Sequence, residues 1–397
     1  MTVVEAGKRH AIDGEQIADF ALRLIGEYSP SGKEGAVAGL VAAEMEQLGF
    51  EVETDELGNV IGTVEAGSGP CVLIDSHMDT VGVTDPEAWS YDPAGERVND
   101  RIYGRGAMDM KGPLAASVCG IAPLKDRLRN GRVVVSTTVT EELVEGPALV
   151  RVAERVKPDF TIICEATSLK LARGQRGRAE VVVEVSGRPT HSSRPELGVN
   201  AAQAMVDLVR ALRDLQPPSH QILGEGILVL TDIISRPYPG LSVVPDRCVA
   251  TFDRRTLPDE TEESILGPIQ QAIERALKDS EASGRALIAE DDFETYTGER
   301  VRAPNFAPAW YFDDDTGLVE AALAGLEQAE LDPKLAHYAF CTNGSGTAGR
   351  LGIPTVGFGP GDEELAHRVD EYIEIDQLTK AARGYAAIVE WLTGMEE

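Results

Sequence analysis

The chain has 397 residues, 43% of them apolar, more than one ordinary core holds and enough for two or three. Its 66 acidic and 37 basic residues leave a formal charge of −29, which excludes partners that need a basic face: no nucleic acid and no anionic membrane. The surplus acid reads mostly as solvated surface. No stretch approaches the ~18 uninterrupted apolar residues of a membrane span, and residues 1–10 lack the apolar core of a signal peptide. The five cysteines (Cys71, Cys119, Cys164, Cys248 and Cys341) form no C-x-x-C pair, as expected of buried, reduced thiols in a cytoplasmic protein.

Residues 12–25 have helical periodicity, with Ile17, Phe20, Ala21, Leu24 and Ile25 on one face. Residues 36–48 predict a second amphipathic helix, stopped by Gly49. Residues 51–55 and 60–64 predict a hairpin. Residues 72–79, V-L-I-D-S-H-M-D, read as a buried strand of a parallel sheet. Positions i and i+2 of an extended chain share a face, so His77 and Asp79 converge at the carboxyl end, where open α/β sheets bind ligands. The pair suits a metal-binding imidazole with a carboxylate behind it to fix the tautomer. On its own it would equally suit a surface histidine beside a solvated aspartate.

Residues 79–109 form a long loop, and long loops inside compact domains are often functional. It ends in G-R-G-A-M-D-M-K-G, residues 104–112. Without a G-K-[ST] ending this is no phosphate loop. Residues 113–124 predict a buried helix and 133–139 a buried strand, followed directly by Thr140, Glu141 and Glu142. Adjacent carboxylates at a strand end repel unless a cation or proton separates them. Residues 160–163 form a fourth short strand ending in Cys164 and Glu165. Acid or imidazole at one strand end is noise; at four it is a pattern.

From residue 178 the order becomes strand 178–186, helix 199–215, strands 226–234 and 247–254, helix 262–278 and a closing strand 288–296. This β-α-β-β-α-β order is a ferredoxin-like unit, followed by a return linker at 304–310. A helix at 318–328, a small-residue loop at 341–346 and a buried strand at 354–358 follow. Residues 365–372 then open a C-terminal helical region containing His367.

The strand-end set is His77, Asp109, Glu141, Glu142, Glu165 and His367. Two imidazoles with carboxylates suit zinc, or cobalt or manganese. The number is right for two ions: a shared carboxylate, one histidine and one carboxylate for each, and one carboxylate left as a general base. Zinc lowers the pKa of a bound water to about 7, and the hydroxide so formed can attack a carbonyl. That is amide hydrolysis.

These residues lie in S-H-M-D-T (76–80), G-R-G-A-M-D-M-K-G (104–112), T-E-E (140–142), C-E (164–165) and A-H-x-x-D-E-Y (366–372). With them the chain, over nearly its whole length, resembles the M20 metallopeptidases and amidohydrolases. That group includes acetylornithine deacetylase, succinyl-diaminopimelate desuccinylase, aminoacylase-1 and glutamate carboxypeptidase. P-Y-P-G (237–240), V-P-D-R-C (244–248) and C-T-N-G (341–344) resemble a subgroup linked to selenium metabolism. The resemblance implies an α/β fold. Residues 1–175 and 298–397 would form a mixed-sheet zinc-peptidase catalytic domain, and residues 176–297 an inserted ferredoxin-like α+β lid and dimerisation domain.

It also implies roles. Asp109 bridges two zinc ions; His77 and Glu165 bind one, Glu142 and His367 the other. Glu141 is the general base, Asp79 orients His77, and the Asp109–Met110 peptide is cis. His191, in G-R-P-T-H-S-S (187–193), stabilises the oxyanion from across a homodimer interface. Arg255, in D-R-R-T-L-P (253–258), grips a substrate carboxylate, with its neighbour Arg254 as rival. Ser242 and Ala348 depart from the family pattern near the substrate. His10, His220 and His337 read as structural or exposed. In the family, Glu at position 165 accompanies deacylases and carboxypeptidases. The expected function is thus deacylation of a small N-acyl amino acid. A dipeptidase or carboxypeptidase, or a non-catalytic metal- or metabolite-binding protein, are the alternatives.

Overall fold

Apolar runs with charged ends become the middle of one large sheet. In this computed structural model, which describes residues 12–394, the nine-stranded mixed sheet runs Glu51–Thr54, Val60–Ala66, Gly131–Thr138, Cys71–His77, Phe160–Ile163, Thr355–Gly357, Leu171–Gln175, Trp310–Tyr311. Leu335–Tyr338 also pairs with Leu171–Gln175. The signal-peptide expectation for residues 1–10, and His10, lie outside the described residues.

Four central strands are parallel neighbours, 131–138, 71–77, 160–163 and 355–357. Every residue of Cys71–His77 is buried, because helices cover both faces. Val72, Ile74, Val133 and Val135 point to the larger core, against Leu24, Leu114 and Ile388. Leu73, Val134 and Ile163, one residue out of phase, meet Leu149 and Val152 of the helix Pro147–Val156. The sequence analysis has no element at this helix, whose amphipathic run is only ten residues long. Gly49 closes the helix Gly35–Leu48 at φ 90°, a left-handed conformation that suits glycine.

The second sheet is antiparallel throughout, in the order Ile227–Arg236, Arg247–Thr256, Gly177–Ser186, Ser283–Ile288. The helices Ala201–Leu212 and Glu262–Ala276 pack on one face through Met205, Leu208, Ile269 and Ile273, against Val181, Val183 and Phe252. This is the expected ferredoxin-like order, with one correction. The closing strand is Ser283–Ile288; Glu290–Glu294 pairs instead with Arg300–Pro304. Beyond Glu294, Tyr296 donates its hydroxyl to the Gly58 carbonyl at 3.0 Å, tying this hairpin to the large-sheet region.

Residues 365–372 do not open a helical region: a short 3-10 turn, Glu363–Leu365, ends at Leu365. They form a loop that runs into the short strand Tyr372–Glu374, and the helix begins after it, at Ile375–Leu392. All five cysteines are buried and unpaired. Among the described residues no helix is long and apolar enough to cross a membrane.

Candidate metal centre and active site

Register delivers the first ligands. His77 pairs with Thr138, so Glu141 and Glu142 lie just beyond the level of His77 on the neighbouring strand. On the other side Asp75 pairs with Ile163, which puts Glu165 level with His77. The register of these parallel strands thus brings an imidazole and three carboxylates to one edge.

Asp109 arrives from the irregular turn Ala107–Lys111 and His367 from a loop, and the Asp109 segment is clasped by Glu371, which the sequence analysis leaves without a role. Glu371 Oε1 accepts the Met108 and Asp109 N–H groups at 2.9 and 3.2 Å, and its carboxylate pairs with Arg105. Glu371 is fully buried; burial, and then the Asp109 charge, push its pKa up to about 7. The Asp109–Met110 peptide is cis, as expected.

The convergence is tight. Asp109 Oδ1 lies 3.0 Å from His77 Nε2, and Asp109 Oδ2 lies 3.2 Å from His367 Nε2. One carboxylate therefore turns a separate oxygen to each imidazole. Glu165 is 3.3 Å from His77 Nε2, and Glu142 is 3.1 Å from His367 Nε2. Glu141 stands at 3.9 Å from His77 Nε2. His77, Glu141 and Glu165 bring ligand atoms within 4.8 Å of one another, and so do His77, Asp109 and Glu142. His77 is buried, while the His367 side chain is half exposed.

Asp79 acts differently from expectation. The His77 Nδ1–H donates to the Asp79 main-chain oxygen at 2.9 Å, and the Asp79 carboxylate is farther, at 3.4 Å. That carboxylate instead accepts the Glu141 and Glu142 N–H groups, both at 3.1 Å, and the Ser31 hydroxyl at 2.6 Å. The carbonyl fixes the imidazole, and the carboxylate fixes the loop that carries the two glutamates.

Four carboxylates crowded at one edge call for positive charge. Burial alone would lower the pKa of His77, yet Glu141, Asp109, Asp79 and Glu165 raise it well above the ordinary value. Hydrogen bonds to Asp109 and Glu142 push His367 up to about 10. Burial raises Glu141, Glu142 and Glu165, reinforced by their neighbours' charges. Two imidazoles and four carboxylates in a buried edge form a donor set that fits divalent cations.

The cleft above the cluster has a volume of ≈ 260 Å³. Asp109, Glu141, Glu142, Glu165 and His367 line one part of it, and Arg255, Asp253 and Arg178 of the inserted sheet line another, with Glu145, Phe340 and Cys341. The two adjacent arginines separate cleanly. Arg255 lines the cleft, whereas Arg254 points to the opposite face, where Nη2 meets both Glu260 oxygens at 2.5 and 2.8 Å. His191 is exposed, accepts the Ser193 N–H through Nδ1 at 3.1 Å, and does not line the cleft of its own chain. Ser242 and Ala348 do not line it either: the Ser242 carbonyl accepts the Ser192 N–H, and Ala348 lines a separate cavity with Trp310. His220 accepts the Ile222 and Leu223 N–H groups through Nδ1, and burial lowers the pKa of His337, as suits structural histidines.

Sequence analysis missed Arg178, Glu145 and Glu371. Only the alternation of the strand Gly177–Ser186 could have signalled Arg178, and only once its register was known.

Comparison with known proteins agrees with this geometry. The family described as "Peptidase family M20/M25/M40" matches residues 73–391. The chain is 33% identical over 405 aligned residues to a protein of Escherichia coli K12 called "Uncharacterized protein YgeY", covering 98% of this chain and 97% of that one. It is 29% identical to the acetylornithine deacetylase of Aliivibrio fischeri, covering 90% of this chain and 93% of that one. In fold it is similar to an M20 family metallo-carboxypeptidase of Sulfolobus solfataricus, with TM-score 0.74, 18% identity and coverage of 95% and 99%.

Proposed function

The chain belongs to peptidase family M20/M25/M40 and is a metal-dependent hydrolase of amide or peptide bonds; from that premise we propose that it deacylates a small N-acyl amino acid. Arg255 carries this reading. It lines the same cleft as Asp109, Glu141 and His367, a ready partner for a carboxylate on the amine half of the substrate. The cleft's ≈ 260 Å³ lies just below the usual span of small-molecule sites, roughly 300–1,000 Å³, which favours a short substrate over a long peptide. Glu165 and the relatives named as acetylornithine deacetylases favour a deacylase.

In this reading His77, Asp109, Glu142, Glu165 and His367 would hold two divalent ions, zinc in the first instance, with Asp109 shared between the His77–Glu165 and the Glu142–His367 pairs. When bound, the ions polarise the scissile carbonyl and lower the pKa of the attacking water. Glu141 takes the proton from that water and passes it to the leaving amine. Burial raises its pKa, which makes it a stronger proton acceptor. Asp79 holds the Glu141 N–H and so aims the base. Arg255 orients the substrate by its carboxylate. His191 reaches the oxyanion from a second copy of the chain, making the working form a homodimer.

The test is hydrolysis by zinc-, cobalt- and manganese-loaded protein of N-acetyl, N-succinyl and N-formyl amino acids and free dipeptides, with Glu141→Ala as control. Cleavage of acyl amino acids that is lost in the control supports the proposal. Cleavage of dipeptides alone replaces it with a dipeptidase. Silence on the whole panel, with metal bound, leaves a binding protein on a hydrolase fold.

A further inference from the structure

Arg178 and Arg255 are direct partners across two antiparallel strands. Their side chains share a face, and like charges placed opposite each other destabilise a sheet. Asp253, two positions before Arg255, lies on that face too. Its Oδ1 is 2.9 Å from Arg255 Nε and its Oδ2 is 3.4 Å from Arg178 Nε. One carboxylate thus lies beside both guanidinium groups on their Nε side, and both arginines line the cleft. Arg178 Nη1 faces Glu145 at 3.5 Å. Both contacts of Arg178 are longer than a well-formed N–H···O bond of about 2.7–3.2 Å. Arg254 shows the contrast: both Glu260 oxygens engage it, and its side chain is 5% exposed, against 26% for Arg178 and 29% for Arg255. Arg254 is a saturated structural pair; Arg178 and Arg255 keep donors in reserve beside the cleft.

We propose that Arg178 is a second specificity-determining residue: together with Arg255 it grips one substrate carboxylate, while Asp253 holds the two guanidinium groups side by side. The proposal rests on the deacylase reading for the existence of that carboxylate. Each guanidinium donates to one carboxylate oxygen. Glu145, at 3.5 Å, is the contact that the substrate displaces. A neutral amide in place of the carboxylate leaves both arginines without the added partner, so the arrangement selects against it.

The experiment compares N-acetyl-L-amino acids with their carboxamides, using metal-loaded wild type, Arg178→Gln, Arg178→Lys and Arg255→Gln. In parallel, calorimetry measures binding of the same pairs to the Glu141→Gln protein with and without Arg178→Gln. Wild type is expected to prefer the acids. Arg178→Gln should cut that preference about 10- to 100-fold, through KM and through affinity, while leaving the carboxamides nearly unaffected. Arg178→Lys should keep part of the preference, because it keeps the charge but loses the fork. If Arg255→Gln abolishes the preference and Arg178→Gln retains it, the proposal falls and the deacylase reading stands. Equal losses for acids and carboxamides in both Arg178 variants would assign Arg178 a structural role and overturn the proposal. A wild type indifferent to the exchange would overturn both readings.

Discussion

Two regions meet at the cleft, and they are charged in opposite ways. On the large sheet, two imidazoles and four carboxylates crowd one edge, all of them largely buried except His367. On the inserted sheet, two arginines share one aspartate on adjacent strands, each of the three side chains about a quarter exposed. Buried charge interactions are strong and fail abruptly when a partner is lost; partly exposed ones are weaker and graded. The first region is therefore suited to fix the reaction, and the second to choose the substrate.

That division predicts losses of different kinds. Asp109→Ala removes the one carboxylate that addresses both imidazoles. Metal content after dialysis should fall from about two ions per chain to one or none, and hydrolysis should vanish. Full metal content in this variant would break the assignment of Asp109 as a bridge. Glu141→Gln should keep both ions and lower kcat by about 10²–10⁴, with KM little changed. Loss of metal in that variant would make Glu141 a ligand instead of the base.

Within the second region the two neighbouring arginines sharpen the contrast. Arg254→Met leaves the largely buried Glu260 without its partner and should destabilise the fold by on the order of 3 kcal/mol in urea denaturation, with KM unchanged. Arg255→Gln should leave stability alone and lower kcat/KM for carboxylate substrates about 10- to 100-fold. If the two phenotypes are exchanged, the faces of the strand Arg247–Thr256 are assigned the wrong way round.

The same contrast explains what the sequence made legible. His77, Glu141, Glu142 and Glu165 stand at the ends of apolar runs, and parallel pairing of those runs carries them to one level. Asp109 and His367 were visible through their motifs, although the clasp by Glu371 that positions Asp109 was not. Arg255 was favoured by its motif with Arg254 as rival, because a side chain's face depends on which strand pairs with which and in what register. Arg178 was hidden for the same reason: it becomes a neighbour of Arg255 only through a pairing 77 positions apart. The closing strand was misplaced because residues 288–296 alternate like a strand and do form one, but with a different partner.

The smallest expected effect lies behind the large-sheet edge. Glu34 is fully buried, and its Oε1 accepts the Gly32 and Thr140 N–H groups at 3.0 and 3.1 Å, bracing the segment that leads into Glu141. Its Oε2 has no partner among the described residues. Burial, and then the charge of Asp79, push the Glu34 pKa up to about 7 from an ordinary 4.5. The folded protein thus holds this proton more tightly than the unfolded chain does. The stability it confers is fully present below about 4.5 and is lost as pH rises through about 7. Glu34→Gln keeps an acceptor for both N–H groups and cannot ionise. Relative to wild type, the variant should therefore gain on the order of 1–3 kcal/mol between pH 5 and pH 8 in urea denaturation of the metal-loaded proteins. Taking the difference between the two proteins cancels the titrations they share. A difference that stays constant across this range would mean that Glu34 holds its charge in the folded state. The segment before Glu141 would then be braced by a carboxylate, and the acidity of the edge would extend one residue deeper than the ligands themselves.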